Sequence, residues 1–424
     1  MSIKVDGYFL SAVNPIANAD QRDAENIAME LIKHPKVIQA REKAAYKWRT
    51  VTACTAGAQM SRFEGMMDEY TFNYALKAAN ADANYPKVVR VYIPSAEWFG
   101  RRSPGSRWGG DNPDNAYRIV PIDHNGRYVI HGQRMPGGVA NVTYTLVADT
   151  ATSVTLASLE GRDVEVDENG AFSITIDNQP ANGRRNHLQS SPRVMYLFVR
   201  DCYNDWVRET PNALRAERLD TPSRGPMTLD EMADFAAFHM VEGVYISYWF
   251  TRLNYGVPVN TINPPRMAGI LGGLVSQGNS LGVVQLEDDE AMIVTATDGG
   301  AEFRNFLVND VWFMSVEFWK RQSSLNPGQM AADADGRFTY VIAHEDPGVH
   351  NWVDTGGLGE LYGQHRWQGL PRGNVPPPEL TTRVVKLKDL EGALPRGVQM
   401  VTPAQRKQQL ERRALEFKRR FVDC

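Results

Sequence analysis

The chain has 424 residues, of which 42% are hydrophobic and 23% are charged, and its formal net charge is −4 at pH 7. The length predicts two or more domains, and the composition is typical of a soluble globular protein and not of a disordered or membrane protein. The slightly acidic balance gives no general electrostatic reason to bind nucleic acid, so we expect no nucleic-acid partner.

Three features of the sequence predict a cytoplasmic protein. The N-terminus lacks a positively charged region followed by a long apolar core, so we expect no secretory signal. The most apolar stretch, Ala268 to Val284, is broken by five glycines, which argues against a membrane-spanning helix and a membrane partner. The cysteines Cys54, Cys202 and Cys424 are odd in number and far apart, which is typical of a reducing compartment.

Residues 1–85 are predicted as a helical N-terminal region. A first helix is expected from Asp20, as its cap, to Leu31, and a second from Val37 to Arg49, because Pro35 interrupts the pattern between them. A third is expected from Ser61 to Ala83, where aromatic residues and methionines recur at helical spacing.

Residues 86–222 are predicted as a first β-sandwich unit. Short strands separated by turn signals, with no helix between them, indicate an antiparallel sandwich or jelly roll. The strands are expected at Val88–Ile93, Arg127–Gly132, Asn141–Ala148, Val154–Ser158, Ala171–Ile176 and Val194–Arg200.

Residues 226–256 are predicted as a connecting helix. Thr228 and Glu231 fit a capping box at its start. Its apolar, aromatic face is expected to contain the residues that recur every three or four positions: Met232, Phe235, Phe238, Val241, Tyr245 and Tyr248.

Residues 257–370 are predicted as a second β-sandwich unit, related to the first by an internal repeat. The turn and strand from Asp167 to Ile176 align with those from Asp333 to Ile342, and Asn186 and Asn351 follow at nearly equal spacing. Chance similarity between hairpins is the alternative, but the added asparagine match favours two tandem copies. Further strands are expected at Val283–Leu286, Met292–Thr297, Phe306–Phe318 and Phe338–Ala343.

The repeat predicts two further matches between the units. The segment from Val311 to Phe318 is expected to correspond to the strand from Val142 to Leu146. A last strand is also expected in each unit, near Arg200 in the first and near Arg366 in the second. The predicted fold class is therefore mainly β with helical additions. It consists of two tandem antiparallel β-sandwich or jelly-roll units, N-terminal helices, a central helix and a C-terminal helix.

Residues 371–424 are predicted as a proline-rich surface segment followed by a basic helix. Pro371 to Pro378 should be extended, and Thr402-Pro403 marks the start of the helix. The segment from Thr402 to Cys424 has a local charge of +4, which suits a membrane surface, nucleic acid or an acidic protein surface. Because the remaining chain is acidic, we expect docking on the body of the same chain or on a partner subunit, and the second alternative would give a homo-oligomer through this helix.

Three stretches resemble a known bacterial family. They are DNPDNAYRIVPID at Asp111–Asp123, MYLFVRDCYNDW at Met195–Trp206, and DGRFTYVIAHEDPGVHNWVDTGG at Asp335–Gly357 with HRW at His365–Trp367. The family is known as domain of unknown function twelve-fourteen, often paired with a twelve-fifty-four domain. The resemblance implies a double antiparallel β-sandwich with helical additions, and it implies no activity.

Candidate catalytic residues cluster in the second unit. A histidine, His344 or His350, beside Asp346 or Asp354 could act as a base and its orienter. Arg366 could stabilise a developing anion. His187 is the candidate in the first unit. The alternative is structural: Asp354 pairs with Arg366, and the segment is a loop that crosses between sheets.

No cofactor is expected, because neither nucleotide-binding glycine fingerprint nor a nucleophile elbow occurs in the sequence. A divalent metal held by His344, Asp346 and His350 is the alternative, since imidazole and carboxylate groups suit zinc, iron or manganese. Asp346-Pro347-Gly348 also fits a simple turn.

The predicted function is non-redox acid–base catalysis by a lyase, isomerase or hydrolase on a mostly apolar small molecule. The substrate is expected between the β units and the aromatic helix, because apolar pockets with a few polar groups are the usual small-molecule sites. The alternatives are a carbohydrate-binding or carbohydrate-processing protein, using Trp98, Trp108, Trp352 and Trp367, and a structural protein with no polar pocket. The predicted substrate-binding residues are Tyr117, Tyr245, Tyr248, Trp249, Asn351, Trp352 and Trp367.

Overall fold

The chain folds into two β-sandwiches that share one strand order, with helices packed against them. The protein is described from a computed structural model, which covers residues 3–53, 56–148, 154–254, 258–267, 276–373 and 375–420. This architecture confirms the predicted fold class, a mainly β protein with helical additions.

Six helices occur in these ranges. The first is capped by Asn18, whose side chain accepts a hydrogen bond from the backbone N–H of Gln21, and not by Asp20 as predicted. The expected capping box between Thr228 and Glu231 is present. The helices are α1 (Ala19–Leu31), α2 (Pro35–Val51), α3 (Phe63–Ala78), α4 (Leu229–Asn254), α5 (Leu390–Ala393) and α6 (Pro403–Arg419).

The first sandwich contains a five-stranded sheet, ordered β1-β4-β10-β6-β7, and a four-stranded sheet, ordered β11-β5-β8-β9. A separate hairpin, β2-β3, lies in the segment that connects β1 to β4. The strands are β1 (Val89–Val91), β2 (Ala96–Trp98), β3 (Arg101–Ser103), β4 (Asn115–Pro121), β5 (Tyr128–Gln133), β6 (Asn141–Val147), β7 (Thr155–Glu160), β8 (Ala171–Asp177), β9 (His187–Gln189), β10 (Tyr196–Cys202) and β11 (Ala213–Arg218).

The second sandwich contains a six-stranded sheet, ordered β12-β14-β20-β16-β17 with β13 beside β14, and a four-stranded sheet, ordered β19-β18-β15-β21. The strands are β12 (Thr261–Ile262), β13 (Arg266–Met267), β14 (Gly278–Gln285), β15 (Glu290–Ala296), β16 (Phe303–Asn309), β17 (Ser324–Leu325), β18 (Phe338–Ala343), β19 (Trp352–Asp354), β20 (Glu360–Gln368) and β21 (Leu380–Lys386).

The two strand orders match position by position. The series β4-β10-β6-β7 corresponds to β14-β20-β16-β17, and β11-β5-β8-β9 corresponds to β21-β15-β18-β19. Each copy contains a parallel pair, β8 with β9 and β18 with β19, among otherwise antiparallel neighbours. The repeat that the sequence predicts from two turns and two asparagines therefore extends over eight strands in each sandwich.

One detail of the predicted repeat is wrong. The strand that answers β6 is β16, which ends at Asn309, and not the segment from Val311 to Phe318. The carboxylate of Asp310 accepts hydrogen bonds from the backbone N–H groups of Trp312 and Met314, so the chain turns there. The turn is buried, so most of its residues are apolar. In the sequence, this apolar run cannot be distinguished from a longer strand.

The second sandwich extends beyond Leu370. The strand β21 follows the proline-rich segment and pairs with β15 along seven positions. The predicted division at residue 370 therefore leaves out the edge strand of the outer sheet. The sequence of this strand, LTTRVVK, shows no alternation of apolar and polar residues and therefore gives no strand signal.

The larger sheets of the two sandwiches face each other, and we call them the facing sheets; the four-stranded sheets are the outer sheets. Arg366 on β20 donates a hydrogen bond to the hydroxyl of Tyr117 on β4. Cys202 on β10 donates one to the side chain of Gln368 on β20. The helices α1 to α4 cover another part of the first facing sheet, and no helix of the described residues is long and apolar enough to cross a membrane.

The basic helix α6 docks on the chain's own body, as the charge pattern predicts. Arg406 pairs with Asp346, and Arg413 donates to the hydroxyl of Ser324 in the second sandwich. Arg420, just after the helix, donates to the carbonyl of Pro113 beside the first sandwich. Because these contacts are intramolecular, they give no support to a homo-oligomer formed through this helix.

We predict that Gly243→Ala lowers the free energy of unfolding by about 1–3 kcal/mol. A Cβ at this position of α4 would lie 1.8 Å from the hydroxyl oxygen of Tyr74 on α3. Gly65→Ala on α3 is the matched control, because nothing lies within 4 Å of its Cβ position. Alanine should raise stability there by about 0.5–1 kcal/mol. Urea unfolding tests both variants, and a stabilising Gly243→Ala would contradict the close packing of α3 and α4.

Candidate functional site

A cluster of polar side chains lies between the facing sheets. Along β10, Leu197 and Val199 belong to the core of the first sandwich, so Phe198, Arg200 and Cys202 point out of it. Arg200 lies opposite the third residue of β6, and Arg366 lies opposite the third residue of β16. The two arginines therefore occupy corresponding positions in the two sandwiches and extend into the same interface.

Arg366 is held by three hydrogen bonds across this interface. Its guanidinium donates to the hydroxyl of Tyr117 at 3.2 Å, to the carbonyl of Gly110 at 3.0 Å and to the side-chain oxygen of Gln364 at 3.0 Å. All three acceptors are neutral groups. Within the described ranges, Arg366 has no carboxylate partner.

Arg200 has no polar partner among the residues that the structure describes. The residue is 9% exposed, and its guanidinium lies over the ring of Phe198, 4.8 Å from the ring centroid. Its Nη1 atom is buried without a hydrogen-bond partner, and the described residues form no ion pair with it. Burial lowers the pKa of Arg200, and the nearby positive charge of Arg366 lowers it further. An arginine stays protonated at neutral pH, so an unpaired positive charge is buried here.

Other polar atoms around Arg200 are also without partners. The hydroxyl of Thr143, which lies opposite Arg200 on β6, is buried and makes no hydrogen bond with described residues. The same holds for the amide oxygens of Asn115 and Asn141, which lie opposite Cys202. Buried polar atoms in folded proteins are almost always hydrogen-bonded. These unpartnered atoms therefore require hydrogen bonds from a ligand or from water.

The apolar side of the cluster is aromatic. The ring of Tyr117 stacks on that of Phe198 with centroids 5.4 Å apart, and Tyr92 meets Tyr117 edge-on at 5.2 Å. Tyr92 has a φ of 62° and Phe313 a φ of 65°, which are strained values for aromatic residues. Gly110 is required beside Phe313, because a Cβ there would lie 2.4 Å from that ring. Such strain concentrates at functional sites.

The cluster is positively charged at neutral pH. Burial raises the pKa of Tyr117 and raises that of Cys202 well above its ordinary value, so the phenol and the thiol stay protonated. Cys202 donates to the side-chain oxygen of Gln368 at 2.7 Å. The charges of Arg200 and Arg366 are therefore not compensated by Tyr117 or Cys202.

The predicted catalytic residues of the second unit have other partners. Both ring nitrogens of His344 are used, by the hydroxyl of Thr355 at 2.8 Å and the carbonyl of Leu286 at 3.0 Å. Asp354 pairs with Arg321 at 3.0 Å, and not with Arg366. The structure thus separates Arg366 from the carboxylate that the alternative interpretation assigned to it.

His350 lies under the C-terminal helix. One ring nitrogen is 3.2 Å from the carbonyl of Gln329, the other is 3.0 Å from the amide nitrogen of Gln409 on α6, and burial lowers the pKa of His350. The proposed metal ligand Asp346 pairs with Arg406. No group of three or more histidine, cysteine or acidic side chains suited to a metal occurs in the described part of the chain.

The remaining predicted residues are spread over the molecule. His187 contacts Thr175 and Gln179 on the outer sheet of the first sandwich. Trp352 and Trp367 are buried and donate their indole N–H groups to the carbonyls of Ala343 and Thr297. On α4, Tyr248 is half-buried, and Tyr245 and Trp249 are exposed. Of the twelve predicted site residues, the structure brings together Arg366 and Tyr117.

Asn351 has a backbone-bracing role that its counterpart Asn186 repeats. The amide of Asn351 donates to the carbonyl of Ala331 at 2.7 Å and accepts from the N–H of the same residue at 2.8 Å. The amide of Asn186 makes the same pair of bonds with Glu165, at 2.7 and 2.9 Å. The asparagine that marks the repeat in the sequence therefore fixes equivalent loops in both sandwiches.

Comparisons with known proteins show the fold alone. No protein-family model and no curated protein matches the chain, so the resemblance to a domain of unknown function stays a prediction. An uncharacterized protein from Burkholderia cenocepacia has a similar structure, with a TM-score of 0.71 and 23% identity over 87% of this chain and 100% of that chain. The VPA0106 protein from Vibrio parahaemolyticus is more distant, with a TM-score of 0.41 and 13% identity over 83% of this chain and 100% of that one.

Arg200, the centre of this cluster, is not among the predicted site residues. The signal was present in the repeat, since strands were expected to close the two units near Arg200 and near Arg366. If the two closing strands correspond, Arg200 and Arg366 occupy corresponding positions in the two units. Histidines and carboxylates are dense in the second unit, and that density predicts a site there instead.

We predict that Asn351→Ala lowers the free energy of unfolding by about 2–3 kcal/mol, because it leaves the buried carbonyl of Thr339 and partly buried backbone groups of Ala331 unpaired. Asn186→Ala is the matched variant in the first sandwich and should cost about 1 kcal/mol, since its partners are exposed to water. Denaturant unfolding of both variants measures these losses. Wild-type stability of Asn351→Ala would contradict the bracing role.

Proposed function

We propose that the protein binds a small organic anion between its two facing sheets. The observation that carries this proposal is the buried guanidinium of Arg200, which has no hydrogen bond or ion pair with the described residues and lies near a second arginine, Arg366. Removing a charge from water without a partner costs several kcal/mol, and a bound anion would recover that cost.

The chemistry of the cluster supports a carboxylate or a similar oxyanion. A guanidinium presents paired N–H groups that match the two oxygens of a carboxylate, and such bonds are about twice as strong as neutral ones. The neutral hydroxyls of Thr143 and Tyr117, opposite Arg200 on either side, can donate to the same anion. Stacked aromatic rings beside the charges suit the organic part of a ligand.

Acid–base catalysis, the activity predicted from the sequence, is a second candidate. The observation that favours it is the position of Tyr117, whose hydroxyl accepts a hydrogen bond from Arg366 while burial keeps the phenol protonated. A protonated phenol at an anion site can donate a proton to a bound substrate. In that reaction Tyr117 would take the role that the sequence analysis gave to histidines.

Carbohydrate recognition through tryptophans has less support. The four candidate tryptophans, Trp98, Trp108, Trp352 and Trp367, are between 0% and 7% exposed. A sugar face needs an accessible indole ring, and these rings lie within the packed parts of the fold. Any sugar ligand would therefore have to be recognised by other groups.

We predict that Arg200→Met weakens binding of a small anion at least tenfold, because it removes a charge-assisted contact. Titration calorimetry of the full chain with hexanoate, gluconate and inorganic phosphate provides the measurement. Arg193→Met is the matched control, since Arg193 is exposed and should leave binding unchanged. The proposal fails if none of these anions binds, or if both variants bind them as the wild type does.

We also predict opposite effects of two arginine variants on the ligand-free protein. Arg200→Met should raise the free energy of unfolding by about 1–2 kcal/mol, because it removes a buried charge that has no partner. Arg366→Met should lower it by a similar amount, because three acceptors lose their donor. Urea unfolding without ligand decides this, and a loss of stability in Arg200→Met would show that the charge is compensated in the folded protein.

A further inference from the structure

The unpartnered atoms around Arg200 include both hydrogen-bond donors and hydrogen-bond acceptors, and their arrangement indicates which groups a ligand must carry. Tyr117, Arg200 and Thr143 form one row across three neighbouring strands, and Asn115, Cys202 and Asn141 form the next such row. Rows on one face of a sheet are two residues apart, which is about 7 Å. The row that contains the unpartnered guanidinium nitrogen of Arg200 is therefore directly followed, on the same face of the sheet, by the row that contains the unpartnered amide oxygens of Asn115 and Asn141.

The orientation of Asn141 is fixed by its neighbour. Its amide nitrogen donates to a carboxylate oxygen of Glu302 at 2.7 Å. A carboxylate can only accept, so the nitrogen must face Glu302 and the amide oxygen must face away from it. That oxygen is buried and has no partner among the described residues.

Asn204 repeats this arrangement next to Asn141. Its amide nitrogen donates to the backbone carbonyl of Glu302 at 2.9 Å, which fixes its orientation for the same reason. Its amide oxygen is also buried and unpartnered within the described ranges. Two oriented acceptors thus flank one residue, and both need hydrogen-bond donors.

We infer that the ligand is a hydroxy acid, a small carboxylate that carries hydroxyl groups within a few carbons of the carboxylate. This inference rests on the proposed anion-binding function and deepens it. The carboxylate contacts Arg200, and the hydroxyl groups donate to the amide oxygens of Asn141, Asn115 and Asn204. A plain carboxylate would leave those oxygens without hydrogen-bond donors, which is unfavourable for buried polar atoms.

Charge favours hydroxyl groups over an ammonium group as the donors. Arg200 and Arg366 already place two unpaired positive charges in the cluster. The carboxylate of Glu302 is not free to balance a third, because Arg162 pairs with it at 3.2 Å. A neutral donor therefore satisfies the amide oxygens without added repulsion.

The test is a comparison of matched six-carbon compounds by titration calorimetry on the full wild-type chain. Gluconate carries a carboxylate and hydroxyl groups, hexanoate the carboxylate alone, sorbitol the hydroxyl groups alone, and norleucine an ammonium beside the carboxylate. Gluconate should bind at least tenfold more tightly than hexanoate, norleucine no more tightly than hexanoate, and sorbitol without measurable heat.

Variants separate the two kinds of contact. Asn141→Ala should weaken gluconate binding about tenfold and leave hexanoate binding within twofold, whereas Arg200→Met should weaken both. Asn169→Ala, at an exposed turn, is the control and should change neither. The comparison of compounds on the wild type decides the matter even where a variant does not fold.

Each outcome has one meaning. If hexanoate or norleucine binds as tightly as gluconate and Arg200→Met abolishes that binding, the hydroxy-acid inference is overturned and the anion site stands. If Asn141→Ala weakens both acids equally, the acceptor role of Asn141 is overturned. If no acid binds the wild type, the proposed function itself fails.

Discussion

The buried positive charge between the facing sheets is the constraint on which the rest of the site depends. Arg366 donates to neutral acceptors, and Arg200 has no acceptor within the described part of the chain. The phenol of Tyr117 and the thiol of Cys202 beside them stay protonated. A fold keeps such an arrangement at a cost in stability. That cost is explained if an anion occupies the interface, since removing water strengthens the attraction between the guanidinium groups and the anion.

The C-terminal helix helps to hold the interface in place. Arg413 contacts the second sandwich through the hydroxyl of Ser324, and Arg420 donates to the carbonyls of Pro113 and Asn115 at the start of the first facing sheet. Asn115 is also one of the residues with an unpartnered amide oxygen. A basic segment that could suggest a membrane or nucleic-acid partner thus contributes to the relative placement of the two sheets.

The sequence predicts elements better than it predicts the site. β18 and the start of α6 appear where alternation and a Thr-Pro cap indicate them, because those signals are local. β21 was missed because an edge strand can be polar. The side-chain chemistry of His344 and Asp354 predicts a catalytic site. In the structure their partners are Thr355 and Arg321, and the spacing of residues in the sequence does not reveal those contacts. Unpartnered groups such as Arg200 become visible only when tertiary contacts are known.

The duplication explains why two arginines meet. Copies of one topology, placed with their larger sheets face to face, bring corresponding strands β10 and β20 into the same interface, so a charge at one position occurs twice. The outer sheets have diverged instead. His187 lies on a polar face beside Thr175, whereas Trp352, its counterpart, packs in an apolar cluster with Leu390 from the C-terminal segment. The outer sheet of the second sandwich is covered by the C-terminal segment, so an apolar residue is favoured at the position of Trp352. The interface between the facing sheets is shared by both copies, and each copy has an arginine there.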